Sequence, residues 1–117
     1  MKVAQPEEFE PLSETTLYIL VSLAPAPLHG YAIAKEVRLL SEERVILSVS
    51  TLYTTLKRML ENGWIERVGE DPQPDEAGRP RKTYALTERG QRLLAAEKSR
   101  LRSLLAMVQK RTVGEEK

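Results

Sequence analysis

Ser48-Val49-Ser50-Thr51-Leu52-Tyr53-Thr54-Thr55-Leu56-Lys57-Arg58-Met59-Leu60-Glu61-Asn62-Gly63 is the stretch whose reading decides the fold. It opens on a serine able to cap a helix and closes on Asn-Gly, a left-handed stop. Leu52, Leu56, Met59 and Leu60 recur at i, i+4, i+7 and i+8, which makes one apolar stripe for a core. The opposite face carries Ser50, Thr54 and Lys57, with Thr51 and Arg58 to the side and Tyr53 at the border. No acid interrupts that face before Glu61. Short hydroxyls near a helix N-terminus suit base edges in a major groove, and longer cations behind them suit phosphates. Taken alone, the pattern also describes an ordinary amphipathic surface helix.

The residues downstream of the helix tip the reading. After Gly63 the period changes from helical to extended, and Trp64-Ile65-Glu66-Arg67-Val68 and Lys82-Thr83-Tyr84-Ala85-Leu86 read as two strands. Between them Gly69 to Arg81 holds Pro72, Pro74, Gly78 and Pro80 and almost nothing apolar, which predicts a long polar hairpin loop. Thr87 then opens a last helix running from Glu88 to Thr112. Upstream, Ser13 caps a helix from Glu14 to Ala24 in which Leu17, Leu20, Val21 and Ala24 form one stripe. Tyr18, Ile19 and Leu23 make its other sides apolar too, so it needs cover on more than one side. Leu28-His29-Gly30-Tyr31 reads as a turn into a second helix ending near Leu40. Ile33, Ala34, Val37 and Leu40 face its core side, and Lys35 and Arg38 its outer side. Val45-Ile46-Leu47 reads as a short strand.

The order helix, helix, short strand, helix, strand, strand, helix is that of a winged helix-turn-helix. The fold class is mainly α (α+β), with a two-stranded β wing and a long C-terminal dimerisation helix. The expected layout is an N-terminal arm over 1–12, the winged domain over 13–87, the dimerisation helix over 88–112 and a tail over 113–117. Arg79, Arg81 and Lys82 lie at the base of the wing beside the serine-led helix. They read either as a solvated loop base or as contacts to a phosphate backbone. Pro80 stiffens the run and favours the second reading. Two separate features then point to one ligand, double-stranded DNA, with Ser50, Thr51, Tyr53, Thr54, Lys57, Arg58, Arg79, Arg81, Lys82 and Lys35 as candidate contacts.

Composition sets the outer limits. Lys+Arg 18 against Asp+Glu 17 leaves a net charge of +1 in 117 residues, so attraction to nucleic acid must come from local clustering. The chain has no cysteine, which removes disulfides, thiolate metal sites and cysteine nucleophiles and suits a reducing cytoplasm. No apolar run reaches the roughly 18–20 residues of a membrane span, and no basic-then-apolar export signal opens the chain. A soluble cytoplasmic protein is expected. His29 is the only histidine and reads as a backbone-bonded turn residue, with no partners for a metal site. Asp71 and Asp75 stand on the wing without the partners that acid–base chemistry requires, so neither catalysis nor a cofactor is expected.

Several segments together carry a family resemblance. They are Leu20-Val21-Ser22-Leu23, Pro27-Leu28-His29-Gly30-Tyr31-Ala32-Ile33, Ser50-Thr51-Leu52-Tyr53 with Leu56 and Arg58, and Glu61-Asn62-Gly63-Trp64-Ile65. The last runs from Gly78-Arg79-Pro80-Arg81-Lys82 through Thr83-Tyr84-Ala85-Leu86-Thr87-Glu88-Arg89-Gly90. In this order and spacing, over about residues 15–90, the chain resembles the PadR-like transcriptional regulators. The resemblance implies a dimeric winged-helix repressor on a pseudo-palindromic operator, released by a small hydrophobic effector or another signal. It also implies the smaller subtype, which dimerises through one C-terminal helix. The family usually has glycine at the position of Ser50, proline at that of Thr54 and leucine at that of Trp64. The first two departures fall on the outward face, where they bear on which bases are read, and Trp64 reads as core filling.

The residues support the dimer on their own. A helix over 88–112 is about 37 Å long at 1.5 Å per residue, more than so small a domain covers. Leu94, Leu101 and Val108 recur every seven residues with Leu104 and Leu105 between them, a coiled-coil-like seam. With Leu17 and Tyr18 of the first helix these are the expected dimer contacts. An effector pocket, where present, is expected at the same junction, with Tyr18, Leu101, Leu105 and Met107 as lining. The alternative function is a winged-helix protein–protein interaction module, which the near-neutral charge suits equally well.

Overall fold

Each helix begins on a cap that the sequence supplies. The computed structural model describes residues 12–74 and 80–112. Within them Ser13, His29, Ser48 and Thr87 precede α1 (Glu14–Leu23), α2 (Gly30–Leu40), α3 (Val49–Glu61) and α4 (Glu88–Arg111). Their side chains accept from the backbone N–H of Thr16, Ala32, Thr51 and Gly90, one otherwise orphaned donor each. The strands are β1 (Leu28–His29), β2 (Ile65–Pro74) and β3 (Pro80–Leu86), antiparallel in the order β1-β3-β2. This is the expected winged helix.

Three expectations change in detail. Val45–Leu47 is not a strand: the third strand is Leu28–His29, a turn by its sequence pattern, which pairs with Tyr84 and Thr83. The hairpin is laddered further than its prolines suggest, with Pro74 opposite Pro80, and its remaining residues, 75–79, lie outside the described chain. Edge strands and strand starts tolerate proline, and β2 is an edge strand while Pro80 begins β3. Leu40 is 42% exposed instead of facing the core, because α2 ends there and its last turn overhangs α1.

The core collects Ile19, Leu20 and Leu23 from α1, Ile33 and Val37 from α2, and Leu52, Leu56 and Met59 from α3. Trp64, Ile65 and Tyr84 close it from the hairpin. Each buried aliphatic side chain contributes about 1.5–3 kcal/mol. The turn between α2 and α3 is pinned by Ser41, fully buried, whose Oγ accepts from the Val45 N–H at 2.9 Å. Glu42 and Glu43 adopt left-handed backbone there (φ 55 and 71), at a cost of about 1–2 kcal/mol per residue. The Glu43 N–H donates to the Arg38 carbonyl at 2.9 Å, and this tight reversal sets α3 across α2.

At its far end α3 closes in a Schellman motif: Trp64 N–H donates to the Met59 carbonyl and Gly63 N–H to that of Leu60, with Gly63 at φ 76. The start of α4 is fastened to the same place. Thr87 Oγ1 donates to the Gly63 carbonyl at 2.5 Å and Thr87 N–H to the Trp64 carbonyl at 3.1 Å. Gly90 packs so closely on the Trp64 carbonyl that a Cβ at position 90 would overlap the oxygen. The first turns of α4 contribute Leu93 and Leu94 to the core margin, whereas every residue from Leu101 to Arg111 is exposed. Gly90→Ala must displace backbone, so a loss of about 1–3 kcal/mol in denaturant-induced unfolding is expected. An unchanged unfolding midpoint would show that the α4 start is not seated on Trp64.

Candidate nucleic-acid interface

The cap that starts α3 also arranges its first exposed hydroxyls. Ser48 Oγ accepts from the Thr51 N–H at 3.1 Å and donates to Thr51 Oγ1 at 3.0 Å, which leaves the Thr51 hydroxyl its own proton to offer outward. With Leu52, Leu56 and Met59 buried, the helix presents Ser50, Thr51, Thr54, Lys57 and Arg58 to solvent. Ser50, Thr54 and Lys57 succeed one another at i, i+4 and i+7 on one side. Every candidate that the sequence named on this helix is therefore exposed.

Tyr53 is half exposed and leans back toward α2, where an added Cβ at Gly30 would stand 2.5 Å from the Tyr53 hydroxyl. Glycine at position 30 makes the room for that ring. Tyr53 also approaches Tyr84 of β3. Burial, reinforced by Tyr53, pushes the Tyr84 hydroxyl above the ordinary phenol value, and Arg67 of β2 offsets part of the rise. The Tyr84 phenol therefore stays protonated as a donor. His29 caps α2 through Nδ1, which accepts from the Ala32 N–H at 3.3 Å, and its ring stacks on Tyr31 at 6.5 Å.

The hairpin brings Lys82 to an exposed position on β3. Arg81 is placed in backbone only, opposite Asp71, and Arg79 lies outside the described residues. Lys35 is exposed on α2. Sequence reasoning missed Arg67, which is exposed on β2. Its signal was the two-residue alternation that places it on the same side as Ile65.

A second surface lies between α1 and α4. There Leu17, Tyr18 and Val21 face Leu94, Leu101 and Leu105 across an open apolar groove of about 650 Å³, with Leu40, Glu14, Lys98 and Arg102 completing it. Tyr18 in turn touches Arg44 of the α2–α3 turn and holds its guanidinium above the usual arginine value. Of the expected seam, Leu104 and Val108 lie outside the groove and are 41% and 55% exposed. Met107 does not line it either. Glu97, 6% exposed, is held by Arg100 at 2.5 Å, and that hydrogen bond raises the Arg100 pKa further. Among the described residues no cluster of metal-ligating side chains occurs, and no helix is long and apolar enough to cross a membrane.

Comparison with known proteins agrees with this geometry. A PadR family transcription regulator from Clostridium difficile is 29% identical, with a TM-score of 0.68 over 87% of this chain and 100% of that one. A PadR-like transcription factor from Bacteroides fragilis is 25% identical, with a TM-score of 0.66 over 81% of this chain and 86% of its own. The Bacillus subtilis PadR, solved in complex with operator DNA, is 25% identical with a TM-score of 0.58 over 68% of this chain and 44% of that one. A search of curated proteins finds no match. The family model for the transcriptional regulator PadR-like family matches residues 19–96. On the strength of that match, two thirds of its length, and of the winged helix it spans, this chain belongs to the PadR-like family of transcriptional regulators.

Proposed function

We propose that the protein binds double-stranded DNA as a homodimer, one α3 per half-site, and represses transcription until a small hydrophobic effector releases it. The observation that carries the DNA reading is the exposed face of α3, where hydroxyls lead and Lys57 and Arg58 come after them while the opposite stripe is buried. The Bacillus subtilis relative bound to operator DNA supports the same reading. Ser50 and Thr54 are the residues placed for base edges, Lys57 and Lys82 for phosphates. Arg79 and Arg81 complete the wing contact in this proposal.

Two exposed apolar surfaces support the dimer. The α1–α4 groove is open on one side, and Leu101, Leu104, Leu105, Met107 and Val108 stand in solvent on a single chain. A second copy laying its own α4 along the groove covers both. Pairing also encloses what remains of the groove, and its volume falls in the range of small-molecule sites. Repression is distinguished from activation by the direction in which added protein moves transcription from the promoter upstream of its own gene.

Binding to a fluorescent duplex is expected to weaken steeply with salt, and Lys57→Ala to lower the log–log salt slope by about 0.9, the share of one phosphate. Wild-type protein that ignores duplex DNA at low salt would overturn the DNA reading and leave an interaction module. In sedimentation the chain is expected at twice its 13.3 kDa mass. Leu101→Glu combined with Leu105→Glu is expected to reduce it to the monomer with its helix content retained; a dimer that survives both changes would move the interface elsewhere.

A further inference from the structure

The side of the hairpin turned toward the helices carries one cation at the point where the core ends. Ile65 faces Leu86 across the β2–β3 ladder, and Arg67 faces Tyr84. Residues directly opposite in an antiparallel pair project to the same side of the sheet, as do residues two apart along a strand. Ile65 and Tyr84 are buried against the helices, so Arg67 stands on that same side, one step beyond the core, and is exposed. The strand bulges at Val68 immediately afterwards, which turns the rest of β2 away from the row. Among the described residues Arg67 has no carboxylate partner.

From the other direction α3 brings a hydroxyl to the same corner. Tyr53 rests on Gly30 and approaches Tyr84, the residue opposite Arg67. The angle between α3 and the hairpin therefore holds a guanidinium from one element and a phenol from the other, both accessible and both donors. A guanidinium is a planar fork matched to phosphate oxygens, and a phenol supplies one directed O–H alongside it. With α3 in a major groove, the sugar–phosphate strand that borders the groove runs through this angle.

We infer that Arg67 and the Tyr53 hydroxyl grip a single backbone phosphate in the angle between α3 and the β2–β3 hairpin. The inference rests on the DNA reading above and adds a contact on the body of the wing, separate from its basic tip. It makes Tyr53 a positioning contact shared with β2, so the recognition helix and the wing are fixed in register on the same DNA strand.

Salt titration of a mixed-sequence fluorescent duplex tests it. Arg67→Gln is expected to lower the log–log slope by about 0.9, with an unchanged melting temperature because the side chain is exposed. Arg67→Lys is expected to restore the slope while recovering only part of the affinity, since it keeps the charge without the fork. Tyr53→Phe is expected to weaken binding severalfold at unchanged slope in the wild type and to have little effect in the Arg67→Gln background. A wild-type slope in Arg67→Gln, alongside a reduced slope in Lys57→Ala, would overturn the inference and leave the DNA reading standing. Additive effects of the Tyr53 and Arg67 changes would overturn the shared phosphate. Wild-type protein with no salt-dependent binding would remove the DNA reading itself.

Discussion

The fold depends on one small knot of backbone, the meeting of Gly63, Trp64, Thr87 and Gly90. Thr87 caps α4 and simultaneously donates its hydroxyl to the Gly63 carbonyl, so the last turn of α3 and the first turn of α4 share one side chain. The Trp64 carbonyl accepts from Thr87 N–H and fills the space that a side chain at Gly90 would need. Three elements with different duties thus leave a single point: the exposed helix α3, the hairpin that begins at Ile65, and the long helix α4. Their relative orientation is set by hydrogen bonds and close packing, not by the loops beyond.

That rigidity is what lets a nearly uncharged chain present a directional surface. With a net charge of +1, long-range attraction to a polyanion is weak, and any attraction must come from where the cations stand. α3 segregates them: its buried stripe is wholly apolar, and its outward face holds hydroxyls, Lys57 and Arg58. The hairpin adds Arg67 and Lys82 at its side. The tight α2–α3 turn, built from a buried Ser41 and two left-handed glutamates, keeps α3 at a fixed angle to the helices that support it.

Much of this is legible in the residues because it is local and periodic. Ser48, Asn62-Gly63 and the Leu52–Leu56–Met59 spacing delimit α3 with no tertiary information, and the outward candidates come from the same period. β1 is not legible: two residues carry no alternation, and Leu28–His29 becomes a strand only because Tyr84 and Thr83 come alongside. The extent of the hairpin is hidden because Pro72, Pro74 and Pro80 read as breakers until the edge position of β2 is known. Leu40 fits the core stripe of α2 by period, yet exposure at a helix end is decided by what lies opposite. Arg67 is obscure for a related reason: its significance lies in Tyr84 and Tyr53, neither of which is near it in sequence.

The α1–α4 groove ties the DNA-facing side to the rest of the molecule, since Tyr18 lines it and touches Arg44 in the turn before α3. The central claim is that α3 and the hairpin project together from a paired molecule onto one duplex. Selection of bound sequences from a random duplex library measures this most directly. The expected result is enrichment of a two-fold symmetric site whose half-site centres lie about 34–36 Å apart, one helical turn, or a multiple of it. Enrichment of a single unrepeated site, or of no sequence at all, would contradict it.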